Sequence, residues 1–313
     1  MYEHVPEQQA HELVRHALAR GVSHLDTAPY YGHGTAERRL AAALSEVDRD
    51  GVVVATKVGR LVVEQQGGDT GIFRDAPPSV MTSDYSREGV LRSLEESLTR
   101  LGLERVDIVY VHDADHHEEQ ALTEAYPALE ELRAQGVVAA IGVGMNQSRI
   151  PTRFVRETDI DVVLLAGRFT LLEHGAFADL LPAAAARNVS IVIGGVYNSG
   201  LLADPRGSAM YNYAPAPPGV LDRALRLEEV CGRHRVSLAA AAVQFPFCHP
   251  SVATVLVGAR SAAEVDSSLE AISSPVPGEL WAELVAEGLL PEQLLPALAA
   301  MSAPVLSPTQ EAL

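Results

Sequence analysis

Cysteine is nearly missing from this 313-residue chain, which has only Cys231 and Cys248. Two thiols so far apart exclude a disulfide framework or a cysteine zinc site and suit a reducing compartment. Basic charge is scarce too, with 24 Lys and Arg against 41 Asp and Glu, a formal net charge of −17. That balance argues against a sequence-independent nucleic-acid binder and against an anionic membrane surface, so the expected partners are small molecules. The longest apolar stretches, such as 160–167 and 238–243, fall far below the roughly 20 residues of a membrane helix. The opening Met-Tyr-Glu-His-Val-Pro-Glu has neither the basic nor the apolar region of a secretory signal, and a cytoplasmic location is expected. Composition carries no information on oligomeric state.

One scarcity is informative by itself: Lys57 is the only lysine beside 23 arginines. Arginine serves as well for surface charge, so a position that keeps lysine is a candidate for a role a wide guanidinium fork cannot fill. The bland reading is a lysine that escaped a compositional bias.

Short apolar runs alternate with longer amphipathic stretches. Strands are expected at 22–27, 51–57, 106–112, 139–144, 161–166, 189–194 and 252–257. Helices are expected near 6–20, 36–47, 87–101, 118–135, 148–157, 176–188, 220–235 and 262–272, with another from about 238. Thr35, Ser86 and Ser261 read as N-caps, and Gly21, Gly102 and Gly136 as stops. Strand and helix in alternation predict a parallel sheet covered by helices. No linker divides the chain, which reads as one domain over 1–288 with a C-terminal extension over 289–313.

An open doubly wound sheet competes with a closed (β/α)8 TIM barrel. For the open sheet there is Gly32-His33-Gly34-Thr35-Ala36-Glu37, a near-match to the dinucleotide-binding glycine pattern. Glu37 stands where the third glycine belongs, and no acid follows at the right distance. A barrel predicts functional side chains at the C-terminal ends of several strands. Asp26, Lys57, His112, Asn146 and Asn198 lie at or just past five such ends, and the two longest loops, 59–84 and 196–219, also follow strands.

The stretch Asp26-Thr27-Ala28-Pro29-Tyr30-Tyr31-Gly32 resembles the Asp-Thr-Ala-x-x-Tyr-Gly signature of the aldo-keto reductases. Val54-Ala55-Thr56-Lys57 and Val109-Tyr110-Val111-His112 resemble the strands ending in that family's lysine and histidine. Ile141-Gly142-Val143-Gly144-Met145-Asn146 and Val257-Gly258-Ala259-Arg260-Ser261 resemble later family strands, and the order and spacing match from about residue 7 to 290. The resemblance implies a catalytic tetrad of Asp26, Tyr31, Lys57 and His112. It also implies cofactor contacts by Asn146, Tyr197, Asn198, Ser199, Gly200, Leu201, Gly258, Arg260, Ser261 and Glu264. Tyr30 and Arg168 are candidate substrate residues, and no metal is expected.

The chemistry also stands on general grounds. Hydride exchange with a carbonyl needs a proton carrier on the oxygen, and a phenol near pKa 10 serves poorly at neutral pH unless a cation lowers it. Lys57 is the candidate cation, Asp26 its counter-ion, and His112 a donor to the substrate oxygen. Tyr31 could instead be a packed rim aromatic. His112-Asp113-Ala114-Asp115-His116-His117 invites a metal-dependent hydrolase reading, weakened because the cluster is confined to one loop. A cofactor-binding barrel without turnover is the third alternative.

Two departures from the common family pattern refine the resemblance. Arg168 follows the fifth strand where many members carry a Gln, and the sixth strand ends Tyr197-Asn198-Ser199-Gly200-Leu201-Leu202 instead of Tyr-Ser-Pro-Leu. With His112-Asp113 these look like the subgroup of sugar 1-dehydrogenases acting on L-fucose or D-threo-aldoses, to which pyridoxal 4-dehydrogenase is similar. The implied activity is NAD(P)-dependent hydride transfer at C1 of an aldose, with pyridoxal oxidation or general aldehyde reduction as alternatives. NAD is expected over NADP, because Glu264 and Asp266 stand where a basic residue would pair with a 2′-phosphate, although Arg260 is close by. Only seven strands can be counted where a closed barrel needs eight. The expectation is that the first strand lies upstream of Met1, with the leucine-rich stretch past Gly288 as the alternative cover.

Overall fold

The computed structural model describes residues 5–73, 76–207, 210–212 and 214–301. Each expected sheet strand is present: β1 (His24–Asp26), β2 (Val53–Val58), β3 (Val106–His112), β4 (Val138–Met145), β5 (Val162–Ala166), β6 (Ser190–Gly194) and β7 (Val252–Leu256). Helices follow β1 (Thr35–Leu44), β4 (Arg149–Glu157) and β7 (Ala262–Ser273), and others fill the remaining intervals. Strands β2 to β6 are buried almost throughout, as expected of parallel strands covered on both faces.

The chain forms two compact units. The first holds the described residues of Met1–Met145 with Arg153–Leu164 and Ala259–Ala262. In it β1, β2, β3 and β4 are neighbours in that order, paired parallel. Register sets Asp26 opposite Ala55, Lys57 opposite Tyr110, and His112 opposite Gly144. Asp161 N donates to Ile141 O at 2.9 Å where β5 begins. Gly142 is obligatory here: a Cβ would stand 1.8 Å from Val162 O, inside any tolerable contact.

The second unit holds Asn146–Thr152, Leu165–Gly258 and the described residues of Ala263–Leu313. The chain leaving β5 joins β6 through Gly167 N to Gly194 O at 2.8 Å, and β6 pairs parallel with β7 with an irregularity between Val252 and Thr254. Past Gly288, Leu289, Leu290, Leu294 and Leu298 are buried, and Arg223 Nη2 donates to Leu289 O at 2.7 Å.

Local signals account for most element ends. Ser86 accepts from Gly89 N at 3.1 Å to open Arg87–Leu101, which closes on Gly102 at φ +63°. Thr35 is not a cap: Gly34, at φ +83°, takes that place and Thr35 is the first helical residue. The helix expected at 176–188 starts later, at Leu180, because Asp179 accepts from Leu180 N. The expected loop 59–84 contains an antiparallel hairpin, Arg60–Glu64 with Ser79–Ser83. No helix among the described residues is long and apolar enough to cross a membrane.

Candidate active site

Four residues meet in the first unit. Asp26 ends β1, Lys57 lies in β2, His112 ends β3, and Tyr31 sits in the turn after β1. Parallel register brings Asp26, Lys57 and His112 toward one end of the sheet, where the turn after β1 adds Tyr31. Lys57 Nζ donates to Asp26 Oδ2 at 2.6 Å and to Thr27 O at 2.9 Å, and it is hydrogen-bonded to the Tyr31 hydroxyl. The Lys57 ammonium stands 4.6 Å from the Tyr31 ring centroid. The His112 ring meets the Tyr31 ring edge-on at 5.8 Å.

Burial works against the Lys57 charge, but Asp26 and Tyr31 outweigh it and raise its pKa above the ordinary lysine range. Lys57 therefore stays protonated. Burial raises the Tyr31 phenol, and Lys57 opposes this only in part. This corrects the expectation that the neighbouring cation leaves the tyrosine with a net lowered pKa: desolvation of a phenolate outweighs the attraction. Burial, joined by the charges of Lys57 and Arg60, holds His112 well below the usual histidine range, so its ring is neutral at pH 7. Asp26 Oδ1 and His112 Nδ1 are buried and lack a protein partner.

A surrounding set of residues fixes these four. Fully buried Glu37 accepts from Thr56 Oγ1 at 2.8 Å and from Arg100 Nε at 2.6 Å. It ties the helix after β1 to the residue before Lys57. The side chain that spoils the glycine pattern is thus a strut. A Cβ on Gly144 would lie 3.6 Å from Lys57 Cε, in ordinary contact.

Tyr85 donates to His112 O at 2.6 Å, and its ring fits because Gly59, at φ +95°, has no Cβ to strike it. Asp113 takes a left-handed φ of +41°, a conformation Asp tolerates better than most residues. Its Oδ2 lies 3.0 Å from Arg60 Nη2 and 3.6 Å from His112 Nε2. Arg60 also covers the Tyr30 ring at 4.7 Å, and Tyr30 meets Phe73 and His112 edge-on at 5.1 and 5.9 Å. Glu37, Arg60, Phe73, Tyr85 and Asp113 were not predicted as site residues. Only Asp113, beside His112 in sequence, carried a readable signal.

The remaining candidates are distributed between the two units. Arg260 and Ser261 belong to the first, where Gln9 Nε2 donates to Arg260 O at 2.7 Å. In the second, Asn146 follows β4, and Tyr197, Asn198, Ser199, Gly200 and Leu201 follow β6. Tyr197 packs in an apolar cluster with Val196 and Val243, and its hydroxyl bonds Ser268. Asn198, Ser199 and Gly200 have φ of +45°, +61° and +93°. Asn198 is buried and its Oδ1 has no protein partner. Gly258 is exposed, and Glu264 lies in the first turn of Ala262–Ser273. Arg168 Nη1 donates to its neighbour Gly167 O at 2.9 Å and to Asn212 Oδ1 at 3.2 Å. No group of three or more His, Cys, Asp or Glu placed to hold a metal occurs among the described residues.

Comparison with known proteins finds matches over most of the chain. A family model described as the aldo/keto reductase family matches residues 1–286. A D-threo-aldose 1-dehydrogenase from a Pseudomonas species is 40% identical over 300 residues, covering 93% of this chain and 91% of the relative. A pyridoxal 4-dehydrogenase from Microbacterium luteolum is 37% identical, with the same coverage of each chain. Among solved structures, an aldo-keto reductase from Bacillus halodurans in its holo form superposes with a TM-score of 0.72 at 23% identity, over 96% of this chain and 91% of the other. The fold is therefore that of the (β/α) barrel reductases.

Proposed function

Because the chain belongs to the aldo/keto reductase family, we propose that this oxidoreductase oxidises an aldose at C1, converting the cyclic hemiacetal to its lactone with NAD as preferred cofactor. The observation that carries the reading is the buried Lys57–Asp26 pair with Lys57 hydrogen-bonded to Tyr31, in a chain 40% identical to a D-threo-aldose 1-dehydrogenase. Tyr31 is the proton carrier. In oxidation its phenolate oxygen takes the proton from the anomeric hydroxyl, and in reduction the phenol gives it back. Lys57 stabilises the phenolate form of Tyr31, and Asp26 holds Lys57 charged and in place. Neutral His112 donates one ring N–H to the same substrate oxygen, and the Asp113 carboxylate beside Nε2 favours the proton on that nitrogen.

The residues present fit a nicotinamide dinucleotide. The unpartnered Asn198 Oδ1 suits a carboxamide donor. Tyr197, Leu201 and Asn146 complete that half. Gly258, Arg260, Ser261 and Glu264 would hold the adenosine half. A bound nicotinamide would supply the acceptor for the hydride from C1.

The Tyr30, Phe73 and His112 rings form an apolar wall beside the Arg60–Asp113 ion pair. A sugar, with C–H faces and hydroxyl edges, matches such a mixed surface. Pyridoxal, which also forms a hemiacetal, is the second reading, favoured by the 37% identical pyridoxal 4-dehydrogenase. The two buried thiols accord with a cytoplasmic location.

The test is an assay of purified protein with NAD and L-fucose, D-arabinose, L-xylose or pyridoxal. At least one sugar is expected to be turned over, and Tyr31→Phe and Lys57→Arg are each expected to lose about a hundredfold or more, the scale of general acid–base catalysis. Fast reduction of simple aldehydes with no sugar or pyridoxal oxidation would overturn the reading, as would near-full activity in either variant.

A further inference from the structure

Asp113 has a carboxylate oxygen that its place beside His112 leaves unused. Its side chain is only 20% exposed, and its Oδ2 stands 3.6 Å from His112 Nε2. Arg60 Nη2 occupies Oδ2 at 3.0 Å, while no described donor reaches Oδ1. Arg60 is itself anchored by the Tyr30 ring beneath it. Two features hold the carboxylate there: the left-handed turn at Asp113 and Tyr85, whose single hydroxyl proton is shared between His112 O at 2.6 Å and Asp113 O at 3.0 Å.

An oxygen donated to by His112 Nε2 would lie about 3 Å from that nitrogen. A hydroxyl one carbon further along the substrate then falls within reach of Asp113. From this juxtaposition, and resting on the role of His112 given under the proposed function, we propose that Asp113 is a specificity-determining residue that accepts a hydrogen bond from the hydroxyl on the carbon next to the reacting one. The site then selects 2-hydroxylated aldoses and aldehydes over their 2-deoxy or unsubstituted counterparts. Arg60 is a positioning residue in this scheme, since it fixes one carboxylate oxygen and leaves the other for the substrate. Burial raises the Asp113 carboxyl from its ordinary range and Arg60 opposes that. A partly desolvated carboxylate of this kind is a strong acceptor for a hydroxyl and a poor neighbour for a C–H.

The experiment compares two substrate pairs in the wild type, Asp113→Asn and Asp113→Ala. One pair is an aldose and its 2-deoxy analogue, oxidised with NAD; the other is glyceraldehyde and propanal, reduced with NADH. Thermal melting of each variant checks that it folds. The readout is the ratio of kcat/KM within a pair, which cancels any loss common to both members. The wild type is expected to favour the hydroxylated member by about tenfold or more, the low end for a hydrogen bond to a charged group, Asp113→Ala to bring the ratio to near unity, and Asp113→Asn, which keeps a neutral acceptor, to lower it. A ratio near unity in the wild type, or one that survives in Asp113→Ala, would overturn the proposal. If no aldose is oxidised but the glyceraldehyde-to-propanal ratio collapses in Asp113→Ala, the selectivity stands and aldose oxidation falls. If aldoses are oxidised with an unchanged ratio, the selectivity falls alone. If neither pair is turned over, both fall.

Discussion

Lys57 carries three obligations at once: an ion pair with Asp26, a backbone bond to Thr27, and a hydrogen bond to Tyr31. An ammonium has three donors and can meet all three, whereas a planar guanidinium cannot sit as a point charge among them. That explains one lysine among 23 arginines. The electrostatics of the same group yield a pH signature. Tyr31 titrates above its ordinary range and Lys57 stays charged, so at neutral pH the phenolate is a small fraction that grows tenfold per pH unit. Oxidation needs the phenolate and reduction needs the phenol. The kcat/KM for oxidation is therefore expected to rise about tenfold per unit from pH 6 to 9, following that titration, while reduction stays flat. His112 is held neutral through this range and should add no break near pH 6.5. A pH–rate profile in both directions checks this, and a break near 6.5 would move the proton to His112.

At the scale of elements, sequence patterns were most legible where one physical demand dominates. The seven sheet strands were readable because burial on both faces forces near-continuous apolar runs, and the grouping of Asp26, Tyr31, Lys57 and His112 was readable because each sits at or near a strand end or in the turn after one. The hairpin at Arg60–Glu64 and Ser79–Ser83 was not, since its residues lie on both sides of a polar, glycine-containing stretch and pair only across that distance. The strut role of Glu37 was not legible for a similar reason. Its partner Arg100 is 63 residues away, and no local pattern announces a long-range ion pair. Its burial has an energetic consequence: Glu37 is wholly buried and Arg100 is only 13% exposed, so removing one partner strands the other charge. Glu37→Ala is expected to cost about 3–5 kcal/mol, the range for breaking a buried pair. Replacing both Glu37 and Arg100 by methionine should cost far less. Urea unfolding of the three proteins measures the difference, and a Glu37→Ala loss below about 1 kcal/mol, the ceiling for a typical surface pair, would show the strut to be solvated.

Across the whole molecule the dominant physical quantity is a net charge of −17, and its expected ligand, a dinucleotide, is itself an anion. Long-range repulsion should slow cofactor association at low salt. Screening lengths fall from about 30 Å at 0.01 M to about 8 Å at 0.15 M, which removes most of that field. The KM for NAD is therefore expected to fall as salt rises over this range. The KM for NADP should fall more steeply, since its extra phosphate adds charge. A second contribution is local: Glu264 lies in the first turn of Ala262–Ser273 with Asp266 two residues on, and a carboxylate near a 2′-phosphate repels it at distances too short for salt to screen. The two contributions separate in one experiment. The NAD-to-NADP ratio of kcat/KM should be largest at 0.01 M salt, shrink on screening, and still exceed unity at 0.15 M. A KM that rises with salt would mean that local cations outweigh the net charge at the binding site. A preference for NADP at every salt concentration would place a cation, with Arg260 the first candidate, where the carboxylates are expected to act.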